Sequence, residues 1–218
     1  MRKLTAISVT LAGMVLFMAP LLFAEQNMGI MGWGVKGGLS ESKFTGKDAT
    51  SIFGTQKYRA SGAAGAFATY RINDLFAASL EPMWVERGSK YDVTESDGTH
   101  TFSTRIDYID VPLLAKLYIP TKSNFKPDIF AGPDVAFRLT AKAKETAPGF
   151  TQTTDIKNNI KSTDFGIAFG LGTSYDLSRG AVTLDARYYA GLTKIDNTVS
   201  NATVRNGDFL VLVGYSFK

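Results

Sequence analysis

The chain has no cysteine and one histidine among its 218 residues. The first absence excludes a disulfide framework, thiolate metal sites and lipid attachment through an N-terminal cysteine. The second leaves His100 alone. Zinc sites that need several imidazoles are excluded, and any Ser-His-Asp device would have to be built in the polar stretch around it. His100 is read as a solvent-exposed loop residue. No basic stripe is present, since 24 Lys and Arg are interleaved with 20 Asp and Glu. Nucleic acid is therefore not an expected partner. Gly46-Lys47-Asp48 lacks the spacing and the Ser/Thr of a phosphate-binding loop. Gly166 and Gly170 have helix-dimer spacing, but in an alternating segment they mark close packing. Asn201-Ala202-Thr203 carries no weight as a glycosylation signal. No enzymatic activity, cofactor or metal is expected.

Long apolar runs are also missing, with one exception at the start. Arg2 and Lys3 precede an uncharged segment from Leu4 to Phe23, and after Ala24 the chain turns polar at Glu25-Gln26-Asn27. A membrane anchor would need about this length. Pro20 and the small Ala24 at the polar boundary favour a signal peptide over residues 1–24, cleaved near Ala24. Loss of the first 24 residues from 218 leaves a domain over 25–218 of 194 residues. It removes two cations and no acid, taking the net charge from +4 to +2. The basic isoelectric point therefore owes part of its value to the leader.

The other end of the chain is a strand. In 208–217, Phe209, Val211, Val213, Tyr215 and Phe217 share one face. An apolar terminal strand with aromatics at its end can pair with the first strand and close a barrel, leaving no edge in lipid. Tyr215 and Phe217 are the expected closure residues. A soluble sandwich or lipocalin-like barrel would also end on such a strand.

Between the two ends, short alternating runs recur. Strands are expected over 31–40, 58–72, 75–87, 104–119, 128–142, 161–177, 181–194 and 208–217. Several are about 14 to 17 residues long, against about 5 to 6 for a common soluble strand. Connections alternate. Those near Asn73-Asp74, 120–127 and 176–180 are short, whereas 41–57, 88–103, 143–160 and 195–207 are long and polar. Short turns on one side and long loops on the other, with the leader and the aromatic last strand, favour an all-β fold. The expectation is an eight-stranded antiparallel up-and-down transmembrane β-barrel of the bacterial outer membrane, with short periplasmic turns and long extracellular loops.

In such a barrel the apolar face of each strand meets lipid and the polar face lines the lumen. Ile109, Val111, Leu113, Ala115 and Leu117 would face out, against Tyr108, Asp110, Pro112, Leu114 and Lys116. The same division sets Phe165, Ile167, Phe169 and Leu171 against Asp164, Gly166, Ala168 and Gly170. Ser79, Glu81 and Arg87 fall inside, with Phe76, Ala78, Leu80 and Trp84 outside. The run 62–66 of Gly and Ala gives no clear face. Pro112 and Pro133 inside strands point to a bulge or broken pairing.

The candidate site is the lumen. Glu81, Asp110, Lys116, Asp128, Asp134, Arg138, Asp164, Asp185 and Arg187 fall on inward faces. Eight strands leave room for little but side chains, so these groups are expected to form a salt-bridge network that plugs the barrel.

The chain resembles the PorT-like family of small outer-membrane β-barrels. The matching stretches are Gly34-Val35-Lys36-Gly37-Gly38-Leu39, the segment Phe67 to Phe76, Glu81-Pro82-Met83-Trp84 and Arg87-Gly88-Ser89-Lys90. Tyr108-Ile109-Asp110-Val111-Pro112-Leu113-Leu114-Ala115-Lys116 is the most specific; Phe130-Ala131-Gly132-Pro133 and Gly214-Tyr215-Ser216-Phe217 complete the set. The resemblance implies an eight-stranded outer-membrane barrel and little biochemistry. A link to protein secretion is suggested by the family alone and by no motif here. The expected role is structural, or an interaction role through the long external loops. The expected partners are outer-membrane lipid, the barrel-assembly machinery and a protein at those loops. The alternative is a small channel for ions or small solutes. A membrane-embedded hydrolase or acyltransferase comes last, because the lipid side lacks a cluster of His, Ser and acid.

Overall fold

The computed structural model describes residues 29–50, 55–197 and 203–217. The expected leader and its cleavage point lie outside the described residues. Ten strands follow one another: β1 (Gly29–Thr45), β2 (Arg59–Arg71), β3 (Phe76–Leu80), β4 (Met83–Glu95), β5 (Gly98–Tyr118), β6 (Phe125–Ala147), β7 (Phe150–Asp155), β8 (Thr163–Leu177), β9 (Gly180–Gly191) and β10 (Arg205–Phe217). All pairings are antiparallel. β3 and β4 act as one stave, β7 is a hairpin partner of the far end of β6, and the remaining strands complete a ring of eight. Among the described residues no helix is long and apolar enough to cross a membrane.

The ring closes by β1 pairing with β10, from Trp33 opposite Phe217 to Thr45 opposite Arg205. Tyr215 lies opposite Val35, and the Trp33 and Phe217 rings meet at 4.7 Å. Closure matters because an unpaired strand edge in hydrocarbon leaves backbone groups without partners, each costing several kcal/mol.

The faces are inverted relative to a soluble barrel. Trp33, Leu39, Leu113, Ile129, Phe137, Phe165, Phe169, Leu171, Leu184 and Val213 are exposed, while Glu81, Arg87, Asp110, Asp134, Asp185 and Asp208 are buried. The Gly/Ala run of β2 resolves in the same way. Ala63, Phe67 and Thr69 point inward, and Ala64, Ala66, Ala68 and Tyr70 point outward.

Three features depart from the sequence reading. First, the expected third strand is cut at Glu81-Pro82, because Pro82 has no N–H for the ladder. The gap is spanned by Glu81 N donating to Pro112 O (3.1 Å) and Ala66 N donating to Pro82 O (3.0 Å). The Pro82 backbone comes so close to Gly65 that a Cβ there would sit 2.3 Å from Pro82 O. Second, the β5–β6 ladder breaks beyond Pro112, opposite Gly132 and Pro133, as the two prolines lead one to expect, but a further register shift sits between Asp107 and Tyr108. There β6 carries Leu139 as the extra residue, so even-numbered residues of β6 point inward below it and odd-numbered ones above it.

Third, two of the four expected loops are ladders. Residues 88–103 form the far ends of β4 and β5, joined by a tight turn at Ser96-Asp97. In 143–160, β6 and β7 form a second hairpin, followed by a short 3-10 turn (Lys157–Asn159). The hairpins pair with each other, Thr101 opposite Thr146 through Arg105 opposite Lys142. A four-stranded arm thus stands on the long-loop side. Its many threonines suit extended backbone, which is why a polar stretch read as loop continues as strand. On the opposite side the turns are tight. Asn73 Oδ1 accepts from Leu75 N and Phe76 N (2.9 and 2.8 Å).

Leu171, mid-strand in β8 and 65% exposed, tests the orientation of the faces. Leu171→Arg is expected to destabilise the barrel folded in vesicles by about 2 to 4 kcal/mol, read by denaturant unfolding. Equal stability of the two proteins would place that face away from lipid.

Candidate functional site

The lumen is filled in three layers, and each layer follows from which residues alternate inward. Nearest the short turns, Lys36 Nζ reaches Glu81 Oε2 at 3.0 Å and Asp185 Oδ2 at 2.6 Å. Arg187 Nη2 binds the same two oxygens at 2.6 and 2.8 Å. Two cations and two carboxylates thus share one buried square. Ser79 Oγ donates to the other Glu81 oxygen at 2.9 Å. Lys116 lies 3.4 Å from Asp128, and both Lys116 and Arg187 sit over the Phe130 ring. A cavity of about 60 Å³ opens beside Lys36, Lys116, Asp128 and Asp185 toward the short turns.

The middle layer is organised by Arg87, whose side chain is fully buried. Its guanidinium forms a two-pronged pair with Asp110 and donates through Nε to Asp208 Oδ2 at 3.3 Å. It lies over the Tyr189 ring, 3.8 Å from its centre, with the Tyr108 ring centre at 5.4 Å. Ser40 Oγ donates to the second Asp208 oxygen at 2.6 Å. A planar cation suits this place because it pairs with carboxylates in its plane and stacks on rings through its faces.

The outer layer is apolar. Phe44, Ala49, Ile106, Tyr108, Ala136, Ala141, Ile195 and Val204 form one cluster, with Ile156 and Ile160 packed above it. At its border Asn206 Nδ2 donates to Asp164 Oδ2 at 2.8 Å and to Tyr108 Oη at 3.1 Å, and Thr193 Oγ1 donates to Asp164 at 2.6 Å.

The structure brings Glu81, Asp185 and Arg187 into one cluster, places Lys116 with Asp128 beside it, and sets Asp110 against Arg87. Asp134 is buried and, among the described residues, has no cation in ion-pair range and no hydrogen-bond partner for its Oδ1. Asp164 is held by neutral donors. Arg138 lies apart from this network. It is half-buried at the outer end, where Nη1 donates to the Lys157 carbonyl of the 3-10 turn. It is the last inward-parity residue of β6 before the register shift at Leu139. The sequence-based set lacked Lys36, Arg87 and Asp208. Lys36 and Asp208 share faces with runs of small or apolar residues, so alternation singled out neither. Arg87 was placed inside, but its partners are 23 and 121 residues away in sequence.

On the arm, His100 is no free loop residue. It sits in β5 with its side chain 14% exposed, Nε2 3.1 Å from Asp97 and Nδ1 3.4 Å from Glu145 of the second hairpin. Glu95, Asp97 and His100 offer three donor atoms within 4.8 Å of one another, an arrangement that could take a cation, though exposed carboxylates often cluster without one. The hydrogen bond to Asp97 favours the imidazolium and raises the His100 pKa above its ordinary value, with Glu145 adding to it. Nearby, a hydrogen bond from Lys57 (2.6 Å) and another from Thr101 (2.9 Å) hold the Asp92 carboxyl below its usual range. Tyr91 and Phe102 stack at 5.0 Å beside an open groove of about 450 Å³, lined also by Glu145, Gln152, Thr154 and Ile156.

Two outcomes are expected. Arg87→Met leaves Asp110 and Asp208 buried without a cation and should cost about 3 to 5 kcal/mol in denaturant unfolding, whereas Asp134→Asn should leave stability unchanged or raised. A milder loss for Arg87→Met than for Asp134→Asn would contradict this layer. For His100, a raised folded-state pKa contributes stability present below the unfolded value of about 6.5 and lost as pH rises through the folded value. After correction for intrinsic exchange, amides of the β4–β5 tip should therefore exchange faster above that pH, and His100→Ala should abolish the dependence.

The family model described as "Outer membrane protein beta-barrel domain" matches residues 23–197. No curated protein matches the chain in sequence. Among solved structures, Neisserial surface protein A is similar at 19% identity over 87% of this chain and 99% of that one, with a TM-score of 0.44. OprG from Pseudomonas aeruginosa is similar at 17% identity over 85% and 95%, with a TM-score of 0.46. Outer Membrane Protein W of E. coli is similar at 16% identity over 85% and 97%, with a TM-score of 0.42. At these levels they transfer no activity. With a match across most of its length and a ring of strands that buries charge and exposes apolar side chains, the chain belongs to the outer membrane protein beta-barrel domain family, whose place is the bacterial outer membrane.

Proposed function

We propose that this protein is a structural and interaction component of the outer membrane, a barrel whose filled lumen anchors an external arm. One observation carries the reading. Arg87, clasped by Asp110 and Asp208 and pressed against Tyr189, occupies the middle of the bore, with an apolar layer beyond it. A conduction path would have to break buried ion pairs and part that layer. The arm, four strands wide with an open groove beside the Tyr91–Phe102 stack, is the surface such an anchor would offer to a protein partner. Export by the leader with cleavage near Ala24, delivery by the barrel-assembly machinery and membership of the PorT-like subfamily belong to the same reading. The β5 stretch 108–116 that carries the PorT-like resemblance supplies Asp110, Leu114 and Lys116 to the lumen. Among the described residues no side-chain cluster points to catalysis. A role in protein secretion is the narrower version. An unchanged secretome after deletion of the gene would remove it.

The second reading, a small channel, draws on the acidic lining, in which seven buried carboxylates (Glu81, Asp110, Asp128, Asp134, Asp164, Asp185, Asp208) face four buried cations (Lys36, Arg87, Lys116, Arg187). Planar-bilayer recording separates the two. The purified barrel is expected to show no steady single-channel conductance. Reproducible conductance that disappears on neutralising Asp134 or Asp185 would replace the anchor by a channel.

A further inference from the structure

The outward face of the arm continues the lipid-facing face of the barrel, and its chemistry changes abruptly. Ile109, Phe137 and Leu139 are the last apolar side chains on β5 and β6 before the rim. A belt of paired charge follows. Glu86 is held by Arg59 at 2.5 Å and Arg105 at 2.7 Å, and Asp107 by Arg105 at 3.3 Å and by Thr140 Oγ1 at 2.6 Å. One and two rows further out stand lysines. The register places Arg105 beside Lys142, and Lys90, Ser103 and Lys144 in one cross-strand row. Lys90, Lys142 and Lys144 are exposed and make no ion pair among the described residues. Of the carboxylates on this face, Glu86 and Asp107 are paired as above, Asp92 binds Lys57 at 2.6 Å, and Asp155, opposite Lys142 in the β6–β7 register but outside ion-pair range of it, accepts from Lys157 N at 2.8 Å.

At about 3.3 Å per residue, Lys142 and Lys144 lie roughly 10 to 17 Å along the strand from Leu139, and two strand spacings put Lys90 about 10 Å from Lys144. That is headgroup height above an apolar band, on the face that alternation turns away from the lumen, while Ser103 and Lys144 also border the groove beside Tyr91 and Phe102. Ser103 lies between the ammonium groups as a hydroxyl donor. Unpaired cations with a hydroxyl, facing sideways over lipid, suit a phosphate monoester better than a carboxylate of a soluble partner, because the surface is flat and lies beside the bilayer. Resting on the membrane orientation of the barrel, we propose that Lys90, Ser103, Lys142 and Lys144 form a docking surface for the phosphate groups of an outer-leaflet lipid, which holds the arm against the membrane.

The test uses the full chain, purified from outer membranes and placed in phosphatidylcholine nanodiscs. Because cysteine is absent, Thr151→Cys gives one labelling site on the adjacent row. Energy transfer to labelled lipid A reads its enrichment at the arm. Bisphosphorylated lipid A should enrich at the unsubstituted lysine surface and dephosphorylated lipid A should not. Each lysine near an anionic surface strengthens attraction about fivefold, so K90Q/K142Q/K144Q should weaken enrichment about a hundredfold, while the three Lys→Arg changes retain it. Equal enrichment of the two lipids, or a preference that survives the triple glutamine change, would overturn the proposal. Loss of enrichment in inorganic phosphate at a matched phosphate concentration would also overturn it, by making the site one for a soluble anion. Heat-modifiable migration in the same samples reports the barrel itself. A barrel that stays folded and non-conducting while lipid preference is absent separates failure of this surface from failure of the anchor reading.

Discussion

Everything in this molecule depends on the pairing of β1 with β10. Hydrocarbon offers no partner to a backbone N–H or C=O, so a sheet survives there only when it has no edge. The ladder from Trp33–Phe217 to Thr45–Arg205 removes the edge and, by closing the ring at eight staves, sets the width of the bore. The face inversion follows. Apolar side chains are stable outward because lipid surrounds them, and polar ones must turn inward.

A bore of eight staves is too narrow for water-filled transit and wide enough for side chains. The inward residues therefore have to satisfy one another. They do so by sharing. Lys36 and Arg187 hold the same pair of carboxylates, and Arg87 divides its donors between Asp110 and Asp208 while tyrosines cover its faces. Removing one member leaves the others charged and dry, which costs far more than the net worth of the pair. The lumen is thus a second core, built of ion pairs where a soluble barrel would have Leu and Val. Its outer end reverts to apolar packing around Ile106 and Tyr108.

The arm obeys the same ladder with a different solvent. Past the rim, β4 to β7 keep their pairing, but neither face meets hydrocarbon, so β-branched threonine and charge replace apolar residues. The extra residue Leu139 turns β6 by half a period where the solvent changes. As a result the groove side of the arm continues the lumen, and the lysine side continues the lipid face. His100 joins the hairpins at the end of their pairing, next to Thr101 opposite Thr146.

The period-two alternation of Ile109 to Lys116 and of Asp164 to Leu171 divided each strand into two faces, and the leader, the alternation of short and long connections and the aromatic last strand read the barrel as inside-out. In a strand the face is a local property, decided by each residue's own chemistry. Alternation also assigned most of the lumen charges to the inside. Which charge meets which was not legible, because Arg87–Asp208 and Lys36–Asp185 join residues 121 and 149 positions apart and depend on barrel closure and register. The place of Arg138, the break at Pro82 and the shift at Leu139 were hidden for a related reason, since a bulge is a mismatch between two strands and neither sequence carries it alone. The arm was missed because polar strands with neither face in hydrocarbon lack the hydrophobic alternation by which strands are read. What the sequence by itself determined was the solvent each face must meet. Only the tertiary structure decided the partners, because those are set by distances across a ring that exists only once its two ends have paired.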